Sequence, residues 1–259
     1  MVKKLGSSVQ DTGKPQFRIM DLLVLITSLA VALAIQEGRI KTGLMNILQT
    51  DNLWFNSVSR TVFAATSGLP IAAIYLFLIR RFRGIASVQP GHWLLLSMLC
   101  MTISATVSLF LYAVVPDGFV FNLEVGQIHL LLSAFLSLVS VYILVWAGKQ
   151  NSAAWRKVLF LFAFSFTLWP ISCLVLIFFS PDGDVTGNPF YVLNAIDWVE
   201  AVLNVVIAVF LSVLAIVEFK NKIKRDLWHW LGVFVVLLGV TVVPMIGFAY
   251  SILGLWNTE

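Results

Sequence analysis

The stretch FYVLNAIDWVEAVLN, residues 190–204, places Asp197, Glu200, Asn194 and Asn204 at the head of a long apolar run. Carboxylates in such a run can hold and release protons or bind cations. Asp197 and Glu200 are three residues apart, and Glu200 and Asn204 four, so a helix puts all three on one face. Asn194 extends that face if the helix begins earlier. Counting a ~20-residue span back from Val217 leaves Asp197 just outside the membrane. In that frame both carboxylates occupy the first turn, where unpaired amides favour anions. A surface position is then the plain expectation for them, with Asn204 ~10 Å deeper. His129, near the outer end of another apolar run, and Glu124 above it can approach the same patch. The candidate polar or ion site is therefore Glu200, Asn204, Asp197, His129 and Glu124.

Other chemistries find less. His92 and His229 stand in GHW and WHW at two inner helix ends, where a pair of axial histidines could clasp a haem. Each is alone at its helix end, and the ordinary use of an amphipathic ring at an interface accounts for both. His129 faces the opposite side, so the three histidines do not form one metal cluster. Cys100 and Cys173 fall inside apolar runs and read as small hydrophobes. There is no HExxH, no GxSxG and no glycine-rich phosphate loop. No lysine lies between Leu227 and Trp256 to carry a retinal Schiff base. Ser104, Ser108 and Ser172 read as interhelical hydrogen-bonding groups. No catalytic residue, cofactor or metal is expected, and enzymatic activity is not the favoured reading.

The elements that must position these residues are apolar helices. Of 259 residues, 59% are hydrophobic and 12% charged, against about 25% charged in soluble domains. The expected fold is an all-α polytopic transmembrane bundle of seven spans, at 19–36, 61–79, 93–115, 128–147, 158–179, 198–217 and 227–256. Residues 1–18 form a basic tail and 19–256 the transmembrane domain.

Charge sets the expected orientation. Lys3, Lys4, Lys14 and Arg18 precede the first span, and Arg80, Arg81 and Arg83 follow the second. Lys149, Arg156 and Lys157 follow the fourth, and Lys220, Lys222, Lys224 and Arg225 the sixth. These compartments hold 14 of the 17 basic residues. The amino terminus is thus expected inside, with the tail cytoplasmic, and the carboxyl terminus outside. Basic clusters of three or four beside spans read as membrane anchors, and no nucleic-acid partner is expected. Trp93, Trp146, Trp155, Trp228 and Trp230 fall at the inner ends and Trp54, Trp198 and Trp256 near the outer side, as for interfacial belts.

An alternative for the first span is a signal peptide cleaved after Ala34, leaving six spans, although the basic lead is long for one. The segment PQFRIMDLLVLITSLAVALAI, Pro15 to Ile35, resembles the opening of many uncharacterised membrane proteins of planctomycete-type bacteria. That resemblance covers about 20 residues. It implies a multi-pass protein of the bacterial inner membrane and assigns no functional residue.

Pro70, Pro170 and Pro244 lie within spans, where each is expected to bend its helix. Residues 40–55 offer a short interfacial helix or an ordinary loop. A Pro-Asp-Gly turn ends both the third and the fifth span, a faint internal echo. The default reading is a structural, interaction or sensory membrane module, touching lipid and open to a membrane-protein partner or a second copy. The alternatives are a small-solute or ion/proton transporter using the outer polar patch, and a cofactor-binding membrane oxidoreductase.

Overall fold

The computed structural model describes residues 19–41, 53–82, 88–114, 123–179 and 188–242. Within them the chain is helical, with no strand. Seven helices follow in order: α1 (Ile19–Lys41), α2 (Leu53–Phe82), α3 (Pro90–Val114), α4 (Leu123–Gln150), α5 (Ala153–Phe179), α6 (Asn188–Lys220) and α7 (Leu227–Leu237). A π-helical turn, Leu238–Val242, continues α7. The basic tail, the Pro-Asp-Gly turns, Pro244 and the core of the interfacial segment (42–52) lie outside the described residues.

Four stretches are long and apolar enough to cross a membrane: Pro90–Val107, Gln127–Gln150, Ala153–Phe179 and Phe190–Lys220. α1, α2 and α7 contribute shorter apolar segments, Ile19–Ala34, Ala64–Tyr75 and Leu227–Thr241. Successive helices pack side by side, and α7 returns against α3, with lesser contacts to α2 and α6.

The packing of α4 shows what solvent it is built for. Ser133, Ser137, Ser140, Leu144 and Ala147 recur every three or four residues and are buried. On the opposite face Ile128, Leu131, Phe135, Leu138, Tyr142 and Trp146 are exposed. The serines join helices: Ser137 donates to the Phe166 carbonyl at 2.7 Å, Ser140 to that of Ser97 at 3.0 Å, and Ser133 meets the Ser104 hydroxyl at 2.5 Å. Small polar residues inside and large apolar residues outside suit a hydrocarbon solvent. The molecule is a membrane-embedded helical bundle.

Local chemistry sets the helix ends. Pro90 opens α3 and the Asn188-Pro189 pair opens α6, proline suiting a first turn whose amides lack partners. α6 closes through a left-handed Lys222 (φ 52°), with Ile223 N–H donating to the Glu218 carbonyl (3.0 Å) and Lys222 N–H to that of Phe219 (3.1 Å). That is a Schellman closure with lysine where glycine is usual. Asp226 then caps α7, its side chain accepting from His229 N–H at 2.9 Å.

Two expectations are corrected. α6 starts at Asn188, so Asp197 is its tenth residue and Glu200 its thirteenth, and neither lies in the first turn. The tryptophan belt is also only partial. Trp93, Trp155 and Trp228 are buried within the bundle, while Trp146 and Trp198 face outward. Pro70 and Pro170 are buried inside continuous helices. The break in helical geometry lies instead at the π turn 238–242.

Candidate functional site

Midway along the bundle the helices part around a cavity of ≈ 380 Å³. α2 lines it with Thr66 and Ser67, α3 with Met98, Met101 and Thr102, and α5 with Phe162, Ser165, Phe166 and Trp169. Glu200 and Asn204 line it from α6, and Val236, Gly239 and Val240 from α7 and its π turn. Thr102 and Ser165 each lie ~18 Å along their helices from the ends at Pro90 and Ala153. That is about the middle of a ~30 Å hydrocarbon core.

Glu200 is the only ionisable group among these lining residues, and no lysine, arginine or histidine is among them. Asn204 follows Glu200 by four residues on the same helix, so both side chains face this space. Thr66 donates its hydroxyl hydrogen to the Val62 carbonyl at 3.0 Å. Thr102 donates to Met98 at 3.2 Å, with the Ser67 carbonyl of α2 at 3.5 Å. Phe162 and Phe166 meet edge to face, with centroids 4.8 Å apart, and form an aromatic wall. The π turn widens α7 beside this space, a feature common at functional sites.

Of the residues singled out from sequence, the structure brings Glu200 and Asn204 into one cavity. Asp197 shares their helix face but is exposed and does not line it. His129 also lies elsewhere: its Nε2 is 3.4 Å from the Ser133 hydroxyl, on the seam between α4 and α3. Glu124 falls on α4, with its side-chain surroundings outside the described residues.

A second polar cluster closes the predicted inner end, and most of it was not singled out from sequence. His92 Nδ1 accepts from Gln89 N–H at 2.9 Å, so its Nε2 carries the hydrogen and donates to Asp226 Oδ1 at 2.8 Å. His229 Nδ1 accepts from Gly91 N–H at 3.0 Å, which places its hydrogen on Nε2, 3.5 Å from Glu218 Oε2. That separation is too long for a hydrogen bond, and His229 Nε2 is buried with no hydrogen-bond partner. Glu218 is 3% exposed. It accepts from Trp155 Nε1–H at 2.7 Å, from Arg225 Nε–H at 3.0 Å and from a second Arg225 nitrogen, Nη2. Asp226 N–H donates to Gln89 Oε1 at 3.1 Å, completing the tie between the starts of α3 and α7. An aspartate just before the apolar run LWHWLGVF was the available sequence signal for this cap.

This geometry does not fit haem. Both histidine Nδ1 lone pairs are occupied by backbone amides, and both Nε2–H groups point at carboxylates. The backbones of α3 and α7 also touch here, since a β-carbon on Gly91 would lie 2.0 Å from the His229 carbonyl oxygen. Among the described residues no group of three His, Cys, Asp or Glu could hold a metal ion. The histidine–carboxylate cluster is a clamp on helix ends, whereas the mid-bundle cavity offers room for a ligand. Comparison with protein-family models, curated proteins and solved structures finds no match to this chain.

Proposed function

We propose that the chain is a seven-span inner-membrane protein, amino terminus inside and carboxyl terminus outside, that binds and moves a small solute or ion through its mid-bundle cavity. Glu200 is the charged group of that site and Asn204 its companion. The observation that carries this reading is their presence together on the cavity wall, on the longest apolar helix of the bundle. An ionisable side chain facing the interior of such a bundle is costly to keep without a use.

The topology is supported by the basic clusters on alternate connections and by the apolar segments of α1, α2 and α7 beside the four longer ones. Lipid is the partner that the outward faces of α4 and α6 require. The structural or sensory reading has no observation of its own in its favour, and the haem form of an oxidoreductase is not carried forward.

The test is flux in vesicles reconstituted with the full chain. Proton- or cation-dependent uptake is expected to fall to the level of empty vesicles in Glu200→Gln. Undiminished flux in a folded Glu200→Gln protein would remove Glu200 from the reading.

A further inference from the structure

The cavity wall also restricts what can bind. Among the described residues its one charged group is a carboxylate, and no cationic side chain lines the same space to neutralise it. Asn204 stands four residues on from that carboxylate on the same wall and offers both amide donors and a carbonyl acceptor. Thr66 and Thr102 spend their single hydrogens on carbonyls of their own helices. Among the described residues the wall's fixed charge is therefore the carboxylate alone, with the Ser67 and Ser165 hydroxyls, the Asn204 amide and the Trp169 indole as neutral polar groups. Such a wall gives a cation with N–H donors a charged partner and gives an anion only neutral ones.

The remainder of the wall is apolar and aromatic. Phe162, Phe166 and Trp169 stand on one side, and Met98 and Met101 on another. Aromatic rings attract cations, and methionine adapts to irregular apolar bodies. At ≈ 380 Å³ the space is at the small end of ligand sites, which span ~300–1,000 Å³.

We propose that the cavity takes a small organic ammonium compound with an apolar or aromatic body, its N–H⁺ group on Glu200 and Asn204 and its body against Phe162, Phe166 and the methionines. This rests on the reading of the cavity as the solute site and names the class of solute. Charge pairing at Glu200 supplies the selectivity and the apolar wall the size limit.

The experiment compares 2-phenylethylammonium with its neutral isostere 2-phenylethanol, titrated calorimetrically into the full chain in lipid nanodiscs, with empty nanodiscs as reference. The expected result is saturable one-to-one binding of the amine, weaker by roughly tenfold or more for the alcohol and for the amine on Glu200→Gln. The comparison of the two ligands uses the unaltered protein, so it stands even if the variant does not fold. Equal binding of amine and alcohol would overturn the cationic class while leaving the cavity as a solute site. Binding of neither would also overturn the proposal. If Glu200-dependent flux of inorganic cations or protons then persisted, the broader function would stand without it.

Discussion

Gly91 and Gly232 bring the backbones of α3 and α7 into direct contact. A β-carbon on Gly232 would lie 1.9 Å from the Gly91 carbonyl oxygen, and one on Gly91 would lie 2.0 Å from that of His229. Both obstacles are main chain, which cannot swing aside as a side chain would. Gly91→Ala and Gly232→Ala are each expected to destabilise by about 3 kcal/mol or more, at the upper end of overpacking costs. Thermal unfolding in detergent measures this. A melting point within a degree of the unaltered protein for either variant would show that the helices do not touch there.

Glu218 ties together three elements at one end of the bundle through Trp155, Arg225 and the approach of His229. Glu218→Gln keeps the shape and removes the charge, leaving the Arg225 guanidinium without its counter-ion. The expected loss is about 3 kcal/mol, the scale for breaking one side of a buried pair. Trp155→Phe removes a single charge-assisted hydrogen bond and should cost about 1.5–3 kcal/mol. The double variant should lose less than the sum of the two, because both act on one carboxylate. Strict additivity would show that they do not share it.

Lys222 holds a left-handed backbone at the closure of α6. A non-glycine residue there costs ~1–2 kcal/mol, and glycine's extra freedom in the unfolded chain returns ~0.5–1 kcal/mol of that. Lys222→Gly is expected to raise stability by about 0.5–1 kcal/mol, and Lys222→Ala to leave it nearly unchanged. A destabilised glycine variant would mean that the lysine side chain contributes more than its backbone costs.

Asn204 lines the cavity, while its neighbour Val205 is 64% exposed on the outer face of α6. With Cys100 and Cys173 replaced by alanine, Asn204→Cys should react with a small water-soluble thiol reagent at least tenfold faster than Val205→Cys. Added phenylethylammonium should slow the first reaction only. Equal rates would show that water does not reach the cavity.

The helical segments were legible because long apolar runs, charge clusters and glycine or proline breaks mark them without knowledge of the packing. The Glu200–Asn204 pairing was legible too, since it depends only on a spacing of four. The start of helix six is not legible from an apolar count, which measures hydrocarbon thickness, whereas the helix continues beyond it. The Asn188-Pro189 pair carried the true boundary. Trp155 and Trp228 read as interfacial from sequence because a tryptophan beside lysine or arginine looks the same whether it faces headgroups or a buried carboxylate. Glu218 and Arg225 are seven residues apart across a helix closure, so no local period links them. Pairing them requires the left-handed turn at Lys222, which lysine itself does not announce.

The serine seam of α4 has a consequence for how this chain tolerates change. In a water-soluble protein the greasiest positions are the most constrained, because they are the ones packed inside. Along α4 the order reverses. Phe135, Leu138 and Tyr142 meet a fluid and can be exchanged for other large apolar side chains, whereas Ser133, Ser137 and Ser140 meet neighbouring helices and accept little beyond alanine or glycine. Sequence drift on this helix should therefore run along its oily face, and the small hydroxyl residues should be the slowest to change.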